Sequence, residues 1–259
     1  MNSRSGRFLF LGLALAAVGA AAAQTGSTSS PAVASLPQRD VLRRIEDFGG
    51  LKTYAKENAA LPVAPANRVV FLGDSITQFW SSKPAFFPGK PYLNRGITGQ
   101  TTTQMLVRFR QDVIDLKPAV VIIQGGLADI AGFAGPSSLE EIESNLRSMA
   151  ELASFNHISP ILVGAPPAAD YPGRTGPEPA AQIVALNRRV ARYCASSGFI
   201  FLDYYSALVG SSGQMKAGVS DDGVHPNEKG YATLKPLAEK AIAEALKRRA
   251  AGSSTPRAK

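Results

Sequence analysis

This chain of 259 residues is poor in the side chains that bind metals or form cross-links: it has one cysteine and two histidines. A lone Cys194 permits no intrachain disulfide, so a folded domain must rely on its core, and the thiol reads as buried and inert. Two histidines and one cysteine are poor material for a zinc site, no H-E-x-x-H is present, and no metal is expected. The phosphate-cradling G-x-x-x-x-G-K-[ST] loop is absent too. So is the serine elbow G-x-S-x-G, which argues against an α/β-hydrolase fold.

Long apolar runs are missing with one exception. Arg4 and Arg7 precede an apolar stretch over 8–20, and Ala21-Ala22-Ala23 follow it. About 13 apolar residues fall short of the roughly 20 needed to span a bilayer. A charged start, a short apolar centre and small residues at the end are the pattern of a secretory signal over residues 1–23. An uncleaved anchor is the competing reading. The mature protein is expected to be soluble and exported, periplasmic or extracellular, without stable membrane insertion. No cysteine follows the expected cleavage site, which argues against lipid attachment. Residues 24–38, rich in Ser, Thr, Ala and Pro, are expected to be a flexible linker.

Charge excludes another class. The formal net charge is +8, from 28 basic and 20 acidic residues. Arg4, Arg7 and the five bases Lys247, Arg248, Arg249, Arg257 and Lys259 lie near the ends. Setting them aside leaves 21 basic residues against 20 acidic ones, near +1. No basic stripe interleaved with aromatics is present, so no nucleic-acid partner is expected. Residues 249–259 are expected to form a disordered tail, a frayed end of the last helix.

With 45% hydrophobic residues the chain can build one substantial core. Val41, Leu42, Ile45 and Phe48 recur at helical spacing over 39–56. Four β-rich runs follow, at 68–72, 119–123, 160–163 and 199–202, with a short fifth candidate at 92–94. Helical stretches fall at 101–116, 138–156, 180–197 and 229–247. This alternation predicts a parallel sheet covered on both faces, a three-layer α/β/α domain over about 39–248.

Ligands of open parallel sheets bind beyond the carboxyl ends of the strands. Those ends carry Gly73-Asp74-Ser75-Ile76-Thr77, Asn94-Arg95-Gly96-Ile97-Thr98-Gly99, Gly126-Leu127-Ala128-Asp129 and Asp222-Gly223-Val224-His225-Pro226. A serine becomes a nucleophile when a base takes its proton, and the base needs a third group to hold its tautomer. Ser75 fits the nucleophile, His225 the base and Asp222 the orienting acid. Asp221 competes, but the Gly223 turn lies between Asp222 and the histidine. His157 stands before an apolar strand and reads as structural. Taken singly, each motif has a plainer meaning: a helix cap at Asp74-Ser75, a turn at Gly96, a loop pin at Asp129. Their conjunction at one sheet edge is what points to chemistry.

That conjunction resembles the SGNH (GDSL-like) hydrolase family. The matching segments are FLGDSIT, NRGITGQTT, the GxxD of Gly126–Asp129 and DGVHPNxxGY, spread over about 68–246. The resemblance implies a five-stranded parallel flavodoxin-like sheet ordered 2-1-3-4-5. It implies acyl-ester hydrolysis without a cofactor, supported by Asp74 and Asp129. It also implies an oxyanion hole made by the N–H groups of Ser75 and Gly96 and by an asparagine side chain. Ala128 stands where that asparagine is usual. Loss of one such donor typically costs about 100- to 1000-fold in turnover. The expected protein is an exported serine esterase or deacylase of short, mainly acetyl, esters of small molecules or carbohydrates, with a depleted oxyanion hole. The alternative is a catalytically impaired acyl- or glycan-binding protein on the same scaffold. Gly164-Ala-Pro-Pro167 and Tyr171-Pro-Gly-Arg174 are expected to form a rim that helps choose the substrate.

Overall fold

A computed structural model describes residues 46–82, 86–171 and 179–253, all within one unit, Arg39–Lys259. The expected signal and linker lie outside the described residues.

Five parallel strands form the sheet: β1 (Val69–Gly73), β2 (Tyr92–Gly96), β3 (Val120–Ile123), β4 (Ser159–Gly164) and β5 (Ile200–Asp203). Their order is β2-β1-β3-β4-β5, as expected. The register aligns Leu72 with Arg95 on one side and Ile123 on the other, so neighbouring strands end level and share a carboxyl edge.

Alternation along each strand makes two cores. Val69, Phe71, Val120, Ile122, Ile161 and Val163 face one side. They pack against α2 (Ser75–Trp80), α8 (Tyr204–Leu208) and α9 (Glu228–Ser253). Val70, Leu72, Val121, Ile123 and Leu162 face the other side. Covering them are α3 (Thr102–Val107), α4 (Phe109–Asp112), α6 (Leu139–Phe155) and α7 (Pro179–Ser197). Central strands buried on both faces are continuous apolar runs for this reason. Cys194 belongs to the second core, and burial pushes its thiol up to about 12, which suits an inert side chain.

Three elements differ from the sequence reading. Of 39–56, the part before 46 lies outside the described residues; 47–54 form turns, and the helix α1 is Ala55–Ala59. The stretch 101–116 is broken into α3, α4 and a 3-10 turn at Ile114–Leu116. Met105, Phe109, Val113 and Leu116 are all buried in the second core, so helical spacing survives where the backbone ladder does not. The break falls at Arg108, which caps both pieces while its guanidinium reaches back to the carbonyl of Gly73. The last helix continues through Ser253, past the expected start of a disordered tail at 249. Arg248 is tied to Glu244 and to the carbonyl of Gly198, and Arg249 donates to the carbonyl of His157. These bonds extend the helix beyond its apolar face. Among the described residues no helix is long and apolar enough to cross a membrane.

Candidate active site

The segment before α9 makes a tight turn. Gly223 has φ +80°, a left-handed backbone that costs glycine no Cβ clash. Asp222 Oδ1 accepts the backbone N–H of Val224 at 2.9 Å and that of His225 at 2.7 Å. Its Oδ2 lies 2.6 Å from His225 Nδ1. Across the ring, His225 Nε2 is 2.9 Å from Ser75 Oγ, although the two residues are 150 positions apart. Asp221 turns away and accepts from Asn227 Nδ2 at 2.9 Å. Partial burial would raise the Asp222 carboxyl, but the His225 N–H, its ring and the Val224 N–H overcome that and hold it at about 2. It therefore stays ionised beside the imidazole down to strongly acidic pH. The ring of Phe79 packs 4.9 Å from that of His225, a contact no motif announces. His157 sits before β4, at the opposite edge of the sheet.

Ser75 opens α2 directly after β1. Asp74 caps that helix, accepting from Ile76 N at 2.9 Å and from Gln124 Nε2 at 3.2 Å. Gln124 in turn accepts from Thr77 Oγ1 at 3.0 Å, tying the ends of β1 and β3 together. Burial is the main influence on Asp74 and raises its carboxyl to about 6 against the pull of the Ile76 and Gln124 donors. An unfolded aspartate titrates near roughly 3.9. Between those values the folded state holds the extra proton, so the contribution of Asp74 to stability falls as pH rises from about 4 to about 6. Asp74→Asn keeps the cap acceptor and removes this titration. Urea midpoints are expected to shift in favour of the variant across that window; a constant difference from pH 4 to pH 7 would contradict it.

Gly96 is not at the expected post. Its N–H donates to Asn94 Oδ1 at 2.9 Å, and its carbonyl accepts from the Tyr54 hydroxyl at 2.5 Å. A Cβ there would stand 2.2 Å from Gln78 N, so the glycine permits β2 to approach α2 closely. Gly99, three residues on with φ +74°, lines the pocket with Ser75 instead. Neither the Gly99 N–H nor the Ser75 N–H has an acceptor among the described residues. The segment Asn94–Gly99 holds two glycines, and spacing alone did not say which one faces the serine.

Asp129 pins a loop. It accepts from Thr102 N at 2.9 Å and from Thr102 Oγ1 at 2.7 Å, which holds the start of α3 below Gly99. Burial raises its carboxyl, and the Thr102 bonds oppose the rise. Ala128 lies on α5 (Leu127–Ile130), follows Gly126 at φ +108°, and faces the pocket. The cavity, about 200 Å³, is bounded by Ser75, Gly99, Ala128, Phe133, Tyr171 and Val224. Of the expected rim, residues 164–167 are buried instead: Asn187 clamps Ala165 through both its N–H and its carbonyl. Tyr171 does reach the pocket, and 172–174 lie outside the described residues.

The fold and this edge define a three-layer α/β/α protein in which a serine, a histidine and an aspartate form one hydrogen-bonded line. The chain belongs to the GDSL-like lipase/acylhydrolase family, whose profile matches residues 71–233. A candidate acylhydrolase of Bacteroides fragilis is 41% identical, with 77% of this chain and 99% of that one covered and a TM-score of 0.74. A GDSL-like lipase of Bacteroides thetaiotaomicron is 40% identical, covers 76% and 99%, and also gives 0.74. An acetylxylan esterase of Geobacillus stearothermophilus shares the fold at 21% identity, with 70% and 96% covered and a TM-score of 0.56. No curated protein matches.

Proposed function

We propose that this protein is an exported serine esterase that hydrolyses short acyl esters, acetyl above all, on small molecules or carbohydrates. The observation that carries the reading is the line from Asp222 through His225 to Ser75, with bonds of 2.6 and 2.9 Å.

In this reading Ser75 Oγ attacks the ester carbonyl while His225 Nε2 takes its proton. The ionised Asp222 holds the Nδ1–H tautomer and stabilises the imidazolium. The carbonyl oxygen becomes an oxyanion facing the N–H groups of Ser75 and Gly99. Collapse breaks the bond to the alcohol, which leaves with the proton from His225. Water, activated by the same imidazole, then releases the acid and restores Ser75. Position 128, where relatives with a full oxyanion hole would place an asparagine, contributes no polar group.

The cavity supports the short acyl group. Its volume of about 200 Å³ is below the range of roughly 300–1,000 Å³ typical of sites for drug-sized ligands. Apolar Leu127, Phe133 and Val224 line it. The export part of the reading rests on the amino-terminal pattern, and the carbohydrate part on export.

Hydrolysis of p-nitrophenyl esters tests the proposal. The C2 and C4 esters are expected to give a higher kcat/KM than the C12 ester, with activity unchanged by EDTA. A preference for C12 would overturn the short-chain reading, and reversible loss on chelation would overturn the cofactor-free mechanism. No hydrolysis together with no fluorophosphonate labelling of Ser75 would leave a binding protein.

A further inference from the structure

The pocket has one side-chain donor without a task. Four pocket residues carry side chains that can donate: Ser75, Thr98, Tyr171 and His225. Ser75 and His225 bond to each other, and the Thr98 hydroxyl bonds to Gln78 Oε1 at 2.7 Å. The Tyr171 hydroxyl is buried and has no hydrogen-bond partner among the described residues. Buried tyrosine hydroxyls usually find a partner, and leaving the bond unmade is destabilising. Such a cost at a functional site makes sense if the partner exists only during the reaction.

We propose that the Tyr171 hydroxyl donates to the oxyanion formed when Ser75 attacks, in the role that Ala128 cannot fill. The inference rests on the esterase reading above. Its geometric basis is how the tyrosine is held. The ring packs in a cluster containing Ile76, Leu127 and Val224. These are the chain neighbours of Ser75, Ala128 and His225, so the tyrosine packs on the cluster that carries all three parts of the site. Ala128 presents only a methyl group to the same cavity, so the site's third donor must come from another lining residue, and Tyr171 lines it too. A side-chain amide on α5 is thus replaced by a phenol from the segment after β4. Burial, with the carboxylates of Asp74 and Asp129 nearby, pushes the phenol above its ordinary 10. It therefore remains a hydrogen-bond donor at neutral and mildly alkaline pH.

Four proteins decide the matter: wild type, Tyr171→Phe, Ala128→Asn and the double variant, assayed on p-nitrophenyl acetate beside Ser75→Ala. Tyr171→Phe keeps the ring and its packing. It is expected to lower kcat about 100-fold, the usual effect of one oxyanion donor, with little change in KM. Asparagine at 128 is expected to restore at least tenfold of that loss in the phenylalanine background and to change wild type far less. A ring that merely fills space would show neither the kcat effect nor the rescue. Unchanged kcat in Tyr171→Phe, or asparagine effects equal in both backgrounds, overturns the proposal while Ser75-dependent hydrolysis leaves the esterase reading standing. Hydrolysis that does not depend on Ser75 overturns both. If the phenylalanine variant does not fold, a crystal structure of wild type with a phosphonate on Ser75 decides instead. Tyr171 Oη should lie about 2.5–3.0 Å from the phosphonyl oxygen; a greater separation overturns the proposal.

Discussion

Ser75→Ala is expected to lower kcat for p-nitrophenyl acetate by on the order of 10⁴- to 10⁶-fold, the scale seen when a nucleophile that works with its base is removed. The variant deletes one oxygen. That oxygen's partner in the structure is His225 Nε2 at 2.9 Å, and the serine lies at the partly exposed start of α2. The fold should therefore be unaffected, since such substitutions usually change stability by no more than about 0.5 kcal/mol. The cavity walls at Gly99, Phe133 and Val224 remain, so binding of an unreactive ester should persist. The measurement is kcat with a thermal melt beside it. Activity within tenfold of wild type, in a folded variant, would remove Ser75 as the nucleophile.

Arg108→Leu is expected to give the largest loss of stability. Arg108 and Asp112 are fully buried and lie 3.1 Å apart. The guanidinium also donates to Gln100 Oε1 at 2.5 Å and to the carbonyl of Gly73 at 3.0 Å. It thus binds the helical layer to the residue that precedes Asp74 and Ser75. Without it, Asp112 keeps the amide of Asn58 at 2.6 Å but loses its directly bonded counter-charge. Breaking a buried pair from one side typically costs about 3–5 kcal/mol. For a domain of this size that corresponds to roughly 6–20 °C in Tm. Removing both charges, in Arg108→Leu with Asp112→Leu, should recover part of the loss, because neither ion is then left alone. A fall of under about 3 °C by circular dichroism for the single variant would show that the pair does not hold this layer.

The parts of the protein legible in its sequence are those governed by short-range patterns. Runs such as 119–123 are apolar at every position because a central parallel strand is covered on both faces, and that coverage needs no knowledge of the neighbours. The Asp222–His225 turn was readable for a similar reason. Gly223 supplies the left-handed backbone, and three residues suffice for the carboxylate to reach the ring. The pairing with Ser75 followed from the rule that loops at the carboxyl ends of parallel strands meet.

What the tertiary structure decided concerns contacts between segments far apart in the chain. Gly96 and Gly99 are equally plausible within one motif. The close approach of α2 to β2 assigns the first to packing, and the left-handed turn carries the second into the pocket. The break of 101–116 at Arg108 arises because a buried cation must reach the end of β1, a demand invisible in apolar spacing. Gln124 gave no signal beyond closing an apolar run, yet it joins Asp74 to Thr77. Tyr171 read as one residue of a rim, and the fold carries it into the cavity that Ser75 and Ala128 line. Local pattern determines which residues can form a strand, a cap or a turn. Which of them share a cavity depends on strand register and layer packing, set by many distant contacts together.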